Sequence, residues 1–82
     1  MKEKLDRVRS AIARVRMENN TACADYCVVK ACARMAYVAI VTMELPEDTR
    51  RLVLVAHAIG KELRGIEGWP AVDELADALE AL

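Results

Sequence analysis

TACADYCVVKACARMAYVAIVTM, residues 21–43, holds only three charged side chains, Asp25, Lys30 and Arg34, and from Met35 to Met43 it holds none. A run this apolar predicts the buried centre around which the rest of the chain packs. Its length is close to the roughly 20 residues that cross a bilayer. Three charges argue against a span, because each costs about 2.5 to 3.5 kcal/mol near the bilayer centre, and the uncharged remainder is too short to cross alone. The segment is therefore expected to be a long, largely buried second helix, residues 21–44, closed where Pro46 disfavours a helical residue before it.

Outward from this run, Leu5, Val8, Ile12 and Val15 recur at intervals of 3, 4 and 3, one narrow stripe of a helix over residues 2–18. Glu18-Asn19-Asn20-Thr21 suits a helix stop followed by a new N-cap, which predicts a tight antiparallel turn. On the other side, Pro46-Glu47-Asp48 reads as the first turn of a third helix, 46–64, with Leu52, Val55, Ala56, Ile59 and Leu63 as its core face. Gly65 stands where a left-handed C′ residue is expected, with Ile66 as the accompanying apolar contact. Pro70 then opens a fourth helix, 70–82, with Val72, Leu75, Ala76, Leu79 and Leu82 on one face.

Composition agrees with this reading. The 82 residues are 55 % hydrophobic and 30 % charged with a net charge of −1, and only three are aromatic. Abundant Ala, Val and Leu with no Phe suit close helix packing and suit a β-sandwich poorly. The expectation is a single all-α domain, a compact four-helix bundle. The second helix is apolar around most of its circumference beyond Met35, so a second copy covering it as a homodimer and a different protein partner are both open. The N-terminal MKEKLDRVRSAIARVR mixes charges throughout and lacks an apolar h-region, so a cytoplasmic protein without a membrane anchor is expected.

Cys23, Cys27 and Cys32 lie within ten residues. On a continuous helix Cys27 is about 40° from Cys23 and Cys32 about 180° away, so one metal ion cannot collect all three. Cys32 reads as a small core residue. Cys23 and Cys27 share a face with Lys30 and Arg34, where positive charge favours thiolates, so a reactive pair and a zinc site completed by His57 or a second subunit stand beside plain packing. Packing is the reading adopted, and no metal or cofactor is expected.

His57 lies about 140° around the third helix from Leu52, among Arg50, Lys61 and Arg64, and is expected to be exposed on a basic face. Val55-Ala56-His57-Ala58-Ile59-Gly60-Lys61, with Ile66, Gly68, Leu75 and Leu79-Glu80 after it, resembles histidine-containing phosphotransfer domains. In that family Lys follows the histidine by three positions and Gly by four, the reverse of Gly60-Lys61 here. The resemblance covers about the last 30 residues and implies an exposed phospho-accepting His57, Lys61 as its charge neighbour, and Gly60 as clearance for a receiver domain.

Charge is segregated: residues 1–34 carry eight basic and four acidic side chains, and residues 67–82 carry five acidic and none basic. Complementarity within the chain or across a dimer accounts for this, and Asp73, Asp77 and Glu80 could equally face a basic partner. A net charge of −1 and no helix-turn-helix spacing disfavour nucleic acid. There is no Gly-rich phosphate loop, no G-x-S-x-G and no H-E-x-x-H, which disfavours an enzyme. The chain therefore reads as a small regulator, adaptor or inhibitor that binds another protein, with Arg50, His57, Lys61, Arg64, Asp73, Asp77 and Glu80 as candidate contact residues. Phosphotransfer through His57 is one alternative, and an inhibitor made by a phage or mobile element against a host complex is another.

Overall fold

A computed structural model describes residues 1–42 and 49–82. The helices run in the order α1 (Lys2–Glu18), α2 (Tyr26–Thr42), α3 (Thr49–Leu63) and α4 (Pro70–Glu80), with no strand among the described residues. The expected end of the second helix at Glu44 and the opening of the third at Pro46 lie outside the described residues. The chain is all-α, a compact four-helix bundle of 39 × 20 × 18 Å in which α1 and α3 each pack against both α2 and α4.

Leu5, Val8, Ile12 and Val15 form the buried stripe of α1, joined by Ala11. The helix stops because Asn19 turns left-handed, φ 44°, while its N–H still reaches the Val15 carbonyl at 3.3 Å. Asn is among the few residues that take this conformation cheaply.

The second helix begins at Tyr26 rather than at Thr21. Residues 20–25 form successive turns, with the Cys23 N–H on the Asn20 carbonyl and the Tyr26 N–H on the Cys23 carbonyl, both at 3.1 Å. Asp25 then takes the N-cap position, its carbonyl accepting the Val29 N–H at 2.9 Å. Thr21 and Asp25 are both favoured N-cap types. The later one is used because a start there sets Tyr26 against Trp69. Cys23 consequently lies in the turn, and its expected helical register with Cys27 does not form.

Along α2, Val29, Cys32, Ala33, Ala36, Ala39 and Ile40 are buried. Three alanines on that face bring neighbouring backbones close. In α3 the core face is Leu52, Ala56, Ile59, Gly60 and Leu63, with Val55 half-buried. Gly60 is a point of close approach: a Cβ there would sit 3.1 Å from Glu80 Cγ and 3.4 Å from the Ala76 carbonyl oxygen on α4.

The end of α3 departs from the expected left-handed stop at Gly65. The Gly65 N–H bonds the Glu62 carbonyl at 3.3 Å and the Ile66 N–H bonds the Leu63 carbonyl at 3.1 Å, a tightening of the last turn. Positive φ falls instead on Gly68, at 80°, where the chain reverses into Trp69. Ile66 is nonetheless buried. Pro70 occupies the first turn of α4 as expected, and Ala71, Val72, Leu75, Ala76, Ala78 and Leu79 are each at most 1 % exposed. At roughly 1.5 to 3 kcal/mol for each large aliphatic side chain fully buried, α4 is the most enclosed part of the core.

Candidate functional site

Two features stand out on the surface of the described residues, and α2 contributes to both. The first is a groove of about 570 Å³ between the end of α1, the first half of α2 and Trp69. Its floor is apolar: Val15, Val29 and Ala33 are buried, and Trp69 is 2 % exposed. The Tyr26 ring stacks on Trp69, centroids 6.5 Å apart and planes within 12°, an offset arrangement favourable for aromatic pairs. Both rings are fixed at their polar ends. The Tyr26 hydroxyl donates to Asn19 Oδ1 at 2.5 Å, and the Trp69 indole N–H donates to Glu18 Oε1 at 3.0 Å. Glu18 is in turn held by the Arg14 Nε, 3.3 Å from its other oxygen, and Arg14 reaches on to Glu74 of α4.

Among the described residues, the charged groups lining this groove are cationic: Arg16, Lys30 and Arg34. Lys30 Nζ lies 5.9 Å from the centre of the Tyr26 ring, within cation–π range. Tyr37 completes the lining, so all three aromatic residues of the chain meet at one place. The arrangement offers the half-buried Tyr26 ring, backed by buried Trp69, together with positive charge, with no carboxylate among its described lining residues.

The second feature is the rest of the solvent side of α2. Val28, Met35, Tyr37, Val38 and Val41 are 46 to 54 % exposed. Met35, Val38 and Thr42 of α2, with Val55 of α3, line a shallow groove of about 290 Å³ that shares Arg34 and Val38 with the first. Thr42 needs no outside partner for its hydroxyl, which donates to the Val38 carbonyl at 2.8 Å.

None of Arg50, His57, Lys61, Arg64, Asp73, Asp77 and Glu80 lines either groove. Arg50, His57 and Lys61 are exposed along α3 and Asp73 in the first turn of α4. Arg64, Asp77 and Glu80 are drawn together inside the chain. The Arg64 guanidinium grips Glu80 through two hydrogen bonds of 3.1 Å and also bonds Asp77. Those bonds raise the Arg64 pKa further above its ordinary value, and the Arg64 hydrogen bond is the main cause holding the Glu80 carboxyl below the usual glutamate value. With Arg14 on Glu74, these pairs tie the acidic fourth helix to Arg14 of α1 and to Arg64, just past the end of α3. Gly60, which the phosphotransfer resemblance assigns to receiver clearance, is buried against α4.

The cysteines are free thiols: Cys23 half-buried in the turn, Cys27 exposed, Cys32 buried. Burial is the larger cause, and Glu62 the smaller, of a Cys32 pKa raised above the ordinary thiol value. No cluster of three His, Cys, Asp or Glu among the described residues is placed to hold a metal ion. Nor is any helix there long and apolar enough to cross a membrane.

Sequence alone does not single out the groove residues, because Tyr26, Lys30, Arg34 and Tyr37 fall within a segment whose composition predicts a largely buried helix. Their signal is present all the same: spacings of 4, 4 and 3 place them within about 80° of one another on α2. Nothing in the sequence announces that Trp69, 43 positions after Tyr26, closes the same groove. Comparison with protein-family models, with curated proteins and with solved structures finds no match for this chain.

Proposed function

We propose that this chain is a non-catalytic protein-binding module, a regulator, adaptor or inhibitor, which docks a helix of its partner along the solvent side of α2. The observation that supports this is a seam. Val28, Ala31, Met35, Val38 and Thr42 recur at 3, 4, 3 and 4, the repeat by which one helix receives another, and all five are exposed. A buried helix has no use for such an exposed stripe, and a solvated one normally carries charge there. Alongside it, Leu54 of α3 is 66 % exposed, which widens the apolar surface.

The test is capture from native lysate with wild-type protein beside Met35→Ser/Val38→Ser, both judged by far-UV circular dichroism for retained fold. The expected result is one partner in stoichiometric yield with wild type and its loss with the variant. Light scattering on the purified protein supplies the other arm: a dimer that the same double substitution dissociates would assign the seam to a second copy. Identical capture by both proteins would remove the seam as the docking site.

A further inference from the structure

Resting on the reading that α2 docks a partner protein, we propose that the aromatic, cationic groove between α1 and α2 is a separate recognition site for an acidic peptide segment of that partner. An apolar or aromatic anchor sits against Tyr26, which is backed by the buried Trp69, and flanking carboxylates meet Arg16, Lys30 and Arg34. Four observations point to this occupant.

Charge comes first. Among the described residues the groove's charged lining, Arg16, Lys30 and Arg34, is cationic, and these side chains are exposed and accessible to carboxylates. Electrostatic complementarity of this kind raises association rates and excludes partners of the wrong sign.

Shape comes second. An apolar floor built from Val15, Val29, Ala33 and Trp69 beneath a charged rim is the arrangement in which one buried anchor supplies affinity and the rim supplies selection. The stacked Tyr26–Trp69 pair is held at both polar ends before any ligand arrives, so little ordering cost is left for binding.

Continuity comes third. The groove shares Arg34 and Val38 with the shallow groove beneath the seam, so a segment leaving the docked helix enters it directly.

The fourth observation concerns a second copy of the chain. α2 contains no Asp or Glu, while Glu74, Asp77 and Glu80 of α4 are already paired with Arg14 and Arg64. Two copies meeting at this groove would bring Lys30 and Arg34 of each together without carboxylates from either α2. This disfavours a symmetric α2-to-α2 dimer at the groove, and the cationic rim itself calls for an occupant with carboxylates.

The experiment is selection from a phage-displayed library of random 16-residue peptides on the immobilised wild-type chain. Enriched peptides are then synthesised and titrated while the fluorescence of Trp69, the single tryptophan, is followed. The expected peptides are net acidic with a Trp, Phe or Leu between carboxylates, and they perturb Trp69 emission. Affinity falls at least about tenfold in Lys30→Glu/Arg34→Glu and falls again with added salt, as for charge pairs in an interface. Circular dichroism confirms that the charge-reversed variant is folded.

Met35→Ser separates this site from the seam, because Met35 lines only the shallow groove. Peptide binding retained in Met35→Ser, together with lost partner capture, supports two sites and this assignment. Acidic peptides that bind while lysate capture is unaffected by the seam variants would keep the groove and sink the seam. Enriched peptides of neutral or basic charge, equal binding to the charge-reversed variant, or no enrichment would overturn the proposal. So would displacement of every selected peptide by millimolar benzoate, which would make the groove a small-anion site.

Discussion

Tyr26, the first residue of α2, stacks on Trp69, the residue that caps α4, and so one aromatic contact fixes where two helices begin. The Trp69 indole N–H on Glu18 adds the end of α1 to the same junction. Trp69→Phe keeps the stacking face and loses the hydrogen bond, and is expected to cost about 1 kcal/mol. Trp69→Ala empties a fully buried site and is expected to cost about 3 to 5 kcal/mol, a large part of the stability of a chain this size. Urea unfolding followed by far-UV circular dichroism measures both. Equal losses for the two would mean that the hydrogen bond, rather than the ring, holds the junction.

Gly60 makes a prediction in the opposite direction. Ala is intrinsically better than Gly inside a helix by about 1 kcal/mol. Against that gain, the new methyl would lie 3.1 Å from Glu80 Cγ, the stem of the side chain that Arg64 grips. The stem is flexible, so Gly60→Ala is expected to be near neutral in the wild-type chain and stabilising by about 1 kcal/mol in Glu80→Ala. A double-mutant cycle reads the difference. Gly60→Leu has no such escape from the Ala76 carbonyl and Leu79, and overpacking there is expected to cost about 1 to 3 kcal/mol.

The four helices were legible because each carries its own local signature. The 3-4-3 stripe of Leu5 to Val15, the proline that opens α4 and the face of Val72, Leu75, Ala76 and Leu79 need no knowledge of the rest of the chain. The start of α2 was not legible. Thr21 and Asp25 are equivalent as caps, and the choice between them follows from Tyr26 meeting a tryptophan remote in sequence. Gly65 failed for a related reason: the pattern shows that a glycine ends α3, while the direction in which Trp69 must face puts the left-handed turn at Gly68. Of the candidate contact residues, Arg64 on one side and Asp77 and Glu80 on the other pair within the chain once α3 packs on α4, forming one exposed ion-paired cluster. Opposite charges on separate helices read alike from sequence whether they pair within the chain or across an interface.

The three cysteines are expected to divide sharply toward iodoacetamide. Cys27 is exposed and should react first, Cys23 more slowly, and Cys32 only on unfolding. For Cys32 the sign is set by burial, which favours the neutral thiol and raises the folded pKa above the unfolded one. Its contribution is fully present below the unfolded thiol pKa and is lost as pH rises through the higher folded value. Mass spectrometry of partly alkylated protein at pH 7.5 and 9.5 distinguishes the sites. A Cys32 that labels as fast as Cys27 in folded protein would contradict its placement. The same reagent gives a footprint of the interface, because Cys27 lies on the solvent side of α2 and a docked helix should shield it.

The Arg64 cluster gives the chain a defined acid response. Glu80 hydrogen-bonds Arg64, so its pKa in the folded state lies below the ordinary carboxylate value that it recovers on unfolding. A depressed carboxyl contributes stability above the unfolded pKa and loses it as pH falls through the folded one. The loss is therefore confined to pH below the usual glutamate range, while at pH 7 and above, where both states are ionised, the contribution is fully present and does not change with pH. The pair is solvent-exposed and screened, so its amplitude should be small and should shrink with salt. The measurement is the melting temperature of wild type, Arg64→Met and Glu80→Gln from pH 2 to pH 7 at low and high salt. Wild type should lose more stability on acidification than either variant at low salt, and the three curves should converge at high salt. Parallel curves would show that Arg64 and Glu80 are not paired in solution, and would return both to the surface as groups available to a partner.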